Sequence, residues 1–449
     1  MSASPPAPAS PIVTTADRSL MGPTVLAMGA AATEIIGLFF VGWITARQLG
    51  PQGKGEYTAI ITWVLVIAWV ASVGLRDSVA YFQSRHPERS PEIFTTSLLY
   101  TAVLSAIGIG VAQLLAPLAF RAQSEDVIII ARVAFFGIFL IVAFQTAEGL
   151  LSGQHRFALL SSIQAFSSVG AAVIMGLFAL FGGLSVGTAL LGKIGIYILC
   201  AGAALVAVLA LVRPGRPSRP LARDMFGYGS KLTVEGLGQL GTTQLDLVIL
   251  PAVLVATEIG FYAVATSTAT VIYLTFGRLG QIVLPVATRR DPASAVAFIA
   301  RVMRRVLVGG ALAALALALI AEPLLVTLYG PEFDESLVPL LILLPGSVAW
   351  SAYRIVASGL QGLNRPGQTS RAQTAAIVVT LVGLALTLRP WGIRGAALTS
   401  SVAYTTAFVA CLRYLAIAGG VSVRSMLHPR LFVTDVVSIL RKGRSGLQQ

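Results

Sequence analysis

The chain has 449 residues, 56% of them hydrophobic and 11% charged, with a mean hydropathy of +0.82 and a net charge of +13. Typical soluble domains carry about 25% charged residues, so a water-soluble globular fold is excluded. Cys200 and Cys411 lie in separate apolar runs without CxxC spacing, and His86, His155 and His428 stand alone, so neither a disulfide framework nor a metal centre is expected.

Apolar runs of about 20 residues recur from end to end, each long enough to cross roughly 30 Å of hydrocarbon as a helix. The fold class that follows is an all-α polytopic membrane protein. Twelve spans are expected, near 20–45, 57–82, 93–118, 127–151, 157–182, 187–212, 227–251, 260–287, 306–328, 336–361, 372–389 and 393–416. Lys and Arg accumulate on the cytoplasmic side of membrane proteins. With the N-terminus inside, cytoplasmic segments hold twenty of the 32 basic residues, while outer loops and their margins hold Arg47, Lys54, Arg121, Arg389 and Arg394. This places both termini in the cytoplasm. The basic residues are spread over short loops beside spans, which suits an anionic inner leaflet and not nucleic acid.

Residues 1–18, rich in Ser, Pro and Ala, read as a disordered cytoplasmic tail. The first span carries Glu34 in its middle third. The second ends at Arg76-Asp77, neighbours that do not share a helix face and so meet different partners. Arg132 lies about one turn into the fourth span, the stretch 148–157 joins the fourth and fifth, and Lys193 opens the sixth. A Pro- and Arg-rich linker at 213–225 separates residues 19–212 from residues 226–417, and 418–449 form a basic cytoplasmic tail. Between the eighth and ninth spans, Val296, Phe298, Ile299 and Val302 give an apolar face flanked by arginines, expected to lie along the inner interface as an amphipathic helix.

The halves repeat each other. Gly55-Glu56-Tyr57 recurs as Gly260-Phe261-Tyr262, GLLSGQHR from Gly149 as GLQGLNR from Gly359, and GLSVGTAL from Gly183 as GIRGAAL from Gly392, in the same order and at nearly constant spacing. Six spans are an even number, so both halves enter from the same side. That is a parallel repeat about an axis along the membrane normal, with a site expected between the halves. The intramembrane charges do not follow the repeat: Arg354 corresponds to Phe144, and Lys231 and Asp246 have no charged counterparts.

The stretch 226–250, which contains nearly all of the seventh span, is the most informative, since it holds Lys231, Glu235, Asp246 and five glycines. At the bilayer centre each such charge costs about +2.5 to +3.5 kcal/mol on a translocon scale, so ionisable groups there normally face a bundle interior or a wet cavity. A transporter with a polar interior follows. On an ideal helix Glu235 and Asp246 share a face, with Lys231 one turn from Glu235. Two accounts stand: a Lys231–Glu235 pair at the inner interface with Asp246 near the outer one, or Asp246 or Glu34 as a proton or sodium site.

In this order, the segments ARQLGPQGKGEY, EGLLSGQHRF, YGSKLTVEGLGQLGTTQLD, GFYAVATSTATVIYLTFGRLGQIVLP, LYGPEFDESLVPLLILLPGSVAWSAYRIVASGLQGLNRP and WGIRGAALTSSVAY resemble the polysaccharide transport or O-antigen flippase family of the multidrug/oligosaccharidyl-lipid/polysaccharide exporter superfamily. The resemblance covers residues 20–416. It implies two six-helix lobes in a V, alternating access, and passage of an undecaprenyl-diphosphate-linked oligosaccharide between leaflets of a bacterial plasma membrane, with glycosyltransferase and polymerase partners in the same pathway. It brings no catalytic motif and no cofactor beyond a coupling H+ or Na+. The chain is two spans shorter than the related lipid II flippases.

Guanidinium groups bind phosphate oxygens bidentately and stay charged at any working pH. Arg354 and Arg278, deep in the tenth and eighth spans, are therefore the first candidates to hold a phosphate-bearing substrate, against a structural pairing with Glu34 or Asp246. Arg132, Lys193, Arg76 and Lys231 complete the substrate set, with snorkelling to the interface as the alternative for Arg76. Glu34, Asp246 and Glu235 form the ion-coupling set. The rivals are a drug/cation antiporter on the same scaffold, which would want an acidic cavity, and a polysaccharide polymerase or ligase, which would want a sizeable outer loop.

Overall fold

A computed structural model describes residues 15–427, except for the side chains of residues 15–32, 34–35 and 234–235. The described residues contain no strand. The helices are α1 (Thr15–Ala71), α2 (Leu75–Arg85), α3 (Ser90–Ala119), α4 (Glu125–Ala134), α5 (Gly137–Gly153), α6 (Phe157–Leu180), α7 (Val186–Leu211), α8 (Arg219–Thr243), α9 (Leu245–Ile249), α10 (Ala256–Gly277), α11 (Gly280–Thr288), α12 (Pro292–Leu328), α13 (Leu337–Gly362), α14 (Pro366–Gly419) and α15 (Val423–Met426).

Nine continuous helical stretches among the described residues are long and apolar enough to cross a membrane. Two of them are hairpins: α1 folds back at Gly50 (φ 65°, ψ −177°) and α14 at Gly392 (φ 52°, ψ −133°), backbone that glycine adopts without steric cost. Each hairpin supplies two spans. The stretch α8–α9, too polar to count by composition, supplies the seventh, giving twelve spans in two six-helix lobes. Leu114, Phe181 and Leu319 are each more than three-quarters exposed on the outside of the bundle, as lipid contact requires. The two ends differ. One, the Gly50 end, carries both hairpin folds; the other, the linker end, carries the segment between α7 and α8.

Helix limits follow local chemistry. Ser185 and Thr188 form a reciprocal capping box at the start of α7, and Asp291 caps α12 ahead of Pro292. Gly215 N donates to the Pro91 carbonyl at 3.0 Å and Ser218 N to Thr96 Oγ1 at 3.1 Å, fastening the linker to the start of α3.

The repeat is visible in the backbone. His155 and Asn364, equivalent residues of the GLLSGQHR and GLQGLNR segments, both have φ 58°. The second span breaks at Val73–Gly74 and the eighth at Arg278–Leu279, positions 205 residues apart. A β-branched side chain in the left-handed region costs about 1–2 kcal/mol or more. Asn364→Val should therefore lower the thermal midpoint in detergent while Asn364→Gly does not; equal midpoints would contradict this.

Gly55 and Gly260, another repeat pair, lie against each other where α1 meets α10. A methyl on Gly55 would fall on the carbonyl oxygen of Ala256, and one on Gly260 on that of Pro51. Since 51 and 256 are also repeat mates, this contact is reciprocal, the mark of a local two-fold axis. Around it the Gly50 end is tied across the lobes: Trp43 Nε1 donates to Leu328 O at 2.6 Å, Arg121 Nε to Ala252 O at 2.8 Å and Gln123 Nε2 to Leu254 O at 2.7 Å.

Two expectations are corrected. Residues 292–305 are not a separate interfacial helix but the first turns of α12. The apolar face packs on protein, with Val296 and Ile299 buried against Gly419 and Gly359. Residues 148–153 are not a loop but the last turns of α5, where Gly149 and Gly153 let the helix approach the backbone of α2. His428 and the tail beyond it lie outside the described residues.

Candidate functional site

Asp246 sits in α9 and is 3% exposed. Its Oδ2 accepts from Tyr262 Oη at 2.5 Å and from Ser400 Oγ at 2.8 Å, and its Oδ1 accepts from Leu247 N at 2.8 Å. Three spans of the C-terminal lobe, the seventh, eighth and twelfth, thus converge on one carboxylate. No basic side chain pairs with it among the described residues. The donors satisfy the charged form, and the cluster of oxygens can hold a proton or a small hard cation. No group of three or more His, Cys, Asp or Glu that could hold a metal occurs among the described residues.

Asp246 and Glu235 do not share a continuous helix, because the chain breaks at Gln244 (φ −130°), so an ideal helical phase cannot be carried from one to the other. Glu34 lies in α1 and Glu235 in α8, and both side chains fall outside the described ones. The glycines of α8 serve close packing: Gly236 lies under Trp69, Gly238 under Gln373 and Gly241 under Ile377.

In the N-terminal lobe, Arg76 Nε stands 3.6 Å from Glu148 Oε2, and Gln164 Nε2 donates to Glu148 Oε1 at 2.6 Å. Arg76 is half exposed, whereas the Glu148 side chain is 7% exposed. One lobe thus has a buried carboxylate held by a cation and an amide, the other a buried carboxylate held by neutral donors. Lys193 on α7 lies over the Tyr197 ring, 5.3 Å from its centroid. Arg132, in the last turn of α4, is exposed.

Arg354 is half-buried in the second half of α13, its stem against Gly277. Arg278 is exposed at the break between α10 and α11. The Gly277–Gly280 break packs on Arg354, so the two arginines belong to one neighbourhood. Interrupted helices that free backbone groups at depth are typical of transporter binding sites. Neither arginine pairs with Asp246. Lys231 is exposed on α8 at the linker end, away from Asp246.

Sequence reasoning missed three buried polar side chains. Glu148 was hidden in an apparent loop. Lys54, expected in an outer loop, is 6% exposed and folds back to donate to Thr45 Oγ1 at 3.0 Å and Gly42 O at 3.3 Å. Tyr262 was carried by a signal already seen, the Gly-x-Tyr repeat: both its tyrosines, Tyr57 and Tyr262, are buried.

Comparison with known proteins places this geometry. The chain is 23% identical over 396 residues, 86% of its length and 80% of the relative's, to the probable low-salt glycan biosynthesis flippase Agl15 of Haloferax volcanii. Its fold matches the lipid II flippase MurJ in an inward closed conformation, with a TM-score of 0.74 and 13% identity over 92% of this chain and 91% of that one. It also matches an inward-facing multidrug resistance MATE family transporter of the MOP superfamily, with a TM-score of 0.73 and 13% identity over 90% of this chain and 99% of that one. The fold is therefore the V-shaped exporter fold. The family described as polysaccharide biosynthesis protein matches residues 44–338, nearly all of the N-terminal lobe and the first three spans of the C-terminal one, and the chain belongs to that family.

Proposed function

We propose that the chain is a flippase that carries an undecaprenyl-diphosphate-linked oligosaccharide from the inner to the outer leaflet of a bacterial plasma membrane, for cell-surface polysaccharide synthesis. The lobes rock about the Gly55–Gly260 contact in alternating access, with both termini in the cytoplasm. Glycosyltransferases supply the substrate and a polymerase or ligase consumes it.

The observation that carries this reading is Arg354: a guanidinium half-buried within the tenth span, beside a helix break that also bears Arg278, without a carboxylate partner among the described residues. A cation left unpaired at that depth is costly unless a substrate anion visits it. The similarity to a glycan flippase over most of the chain supports the same direction. Deleting the gene tests the reading: the lipid-linked oligosaccharide should accumulate in the inner leaflet, and an unchanged lipid-linked pool would contradict it.

Asp246 supports coupling to H+ or Na+, because its carboxylate is buried, has no basic partner among the described residues, and is reached by side chains from two other spans. Asp246→Asn keeps the shape of the site. In reconstituted vesicles this variant should lose the stimulation that a proton or sodium gradient gives the wild type, with folding retained; gradient-stimulated transport equal to wild type would remove Asp246 from the coupling role.

A further inference from the structure

At the linker end of the N-terminal lobe, the turn between α5 and α6 and the last turns of α7 border a cavity of about 490 Å³. Nearer the Gly50 end α6 and α7 are in close contact: Gly170 lies against Ile196, Gly192 against Ile174, and Cys200 Sγ sits 3.9 Å from Ile163 O. At the linker end the same two helices present Ala158 on one side and Ala207 and Ala210 on the other, side chains too short to fill the space between them. Phe157, Leu159 and Leu211 complete the apolar lining, and all three are exposed on the outside of the bundle. In a membrane, such a slot is covered most favourably by an acyl chain. The polar lining comes from the turn itself, His155 and Arg156, and no acidic residue joins them among the described residues. Arg156 is exposed, and its side chain makes no hydrogen bond or ion pair among the described residues. His155 stands beside Phe157, ring centroids 5.8 Å apart, and its imidazole carries an N–H that can donate. A cation and a donor at the membrane surface, continuous with an apolar slot between two spans, match a phosphate head group and the tail attached to it.

We propose that this cavity binds an anionic phospholipid of the surrounding membrane, with the phosphate at Arg156 and His155 and one acyl chain in the slot between α6 and α7. The guanidinium of Arg156 offers a planar fork to two phosphate oxygens, and the neighbouring imidazole N–H reaches a third. The site lies within one lobe, apart from Arg354 and Asp246, and stands whatever the chain carries; only the choice of the cytoplasmic leaflet rests on the orientation proposed above. A lipid held there fills the space between the ends of α6 and α7 and stabilises the N-terminal lobe by mass action.

The test uses the full chain in nanodiscs of phosphatidylcholine doped with phosphatidylglycerol that carries a photoreactive diazirine on one acyl chain. Cross-linked peptides are mapped by mass spectrometry as the doping is raised. Label should saturate on residues 155–159 and 207–211, and phosphatidylcholine bearing the same diazirine should label them far less. Arg156→Gln removes the charge and Ala210→Phe fills the slot. Each should raise the half-saturating fraction of phosphatidylglycerol at least about fivefold, with thermal midpoints in pure phosphatidylcholine near that of the wild type. Arg156→Gln, which changes an exposed side chain, decides the matter should Ala210→Phe fold poorly. Arg371→Gln removes an exposed arginine of the C-terminal lobe and should leave labelling unchanged. Label spread evenly along the chain, equal labelling by the two lipids, wild-type labelling of Arg156→Gln, or an equal loss in Arg371→Gln would each overturn the site. Displacement of phosphatidylglycerol by a lower concentration of a lipid-linked diphosphate would give the cavity to the transported lipid and overturn the phospholipid assignment.

Discussion

Replacing Arg354 with alanine should slow translocation by about tenfold or more while leaving expression and thermal midpoint near those of the wild type. The two halves of this expectation come from one fact, the lack of a carboxylate partner for Arg354 among the described residues. Removing one member of a buried ion pair strands the other charge and costs about 3–5 kcal/mol. Removing a cation that stacks its stem on Gly277 and pairs with no described carboxylate strands no described charge. A structural arginine would therefore show a drop in stability, and a substrate-binding arginine a drop in rate. Arg354→Lys should fall between, since lysine keeps the charge and loses the planar fork. Flipping in reconstituted vesicles, with a melting curve on the same preparation, separates the cases. Unchanged flipping in Arg354→Ala, or a loss of rate matched by a loss of folded protein, would contradict the assignment.

Gly55→Ala or Gly260→Ala should each destabilise the assembled lobes by about 1–3 kcal/mol or more, because the added methyl meets backbone and not a side chain that can rotate away. The cost should be similar for the two, since the contact is reciprocal. The double variant should lose less than the sum, because the first methyl already forces α1 and α10 apart. The helices pack here through glycine in the way close membrane contacts do. Thermal midpoints in detergent read the effect directly. Two single variants with wild-type midpoints would show that α1 and α10 do not meet at this point.

Much of the scaffold was legible in the sequence. Span length anticipated the twelve crossings, and the gaps expected between the first and second spans and between the eleventh and twelfth contain Gly50 and Gly392, where the two hairpins fold. The repeated segments anticipated features as local as the shared φ of His155 and Asn364. Failures came where local pattern has two physical meanings. An apolar stripe between arginines suits a membrane surface or another helix equally well, and at Val296 and Ile299 it is another helix. Glycines in GLLSG suggested a turn, yet Gly149 and Gly153 are helix-packing residues, and this hid Glu148. Lys54 looked like a loop cation because nothing in sequence shows its stem folding back on Gly42 and Thr45.

The site was legible as residue types but not as partnerships. Asp246 stood out by its charge in an apolar run, whereas Ser400 is 154 residues away and an ordinary polar residue in sequence. The break at Gln244 voided the helical phase that linked Asp246 to Glu235. The grouping of Arg354 with the α10–α11 break depends on packing between spans eight and ten, which periodicity within a span cannot reveal.

The most direct measurement is leaflet exchange of a fluorescent, diphosphate-linked oligosaccharide lipid in vesicles holding the purified chain. The chain should speed exchange well above protein-free vesicles, and removing the diphosphate from the lipid should abolish the gain. Exchange no faster than in protein-free vesicles, or a gain indifferent to the diphosphate, would contradict the account.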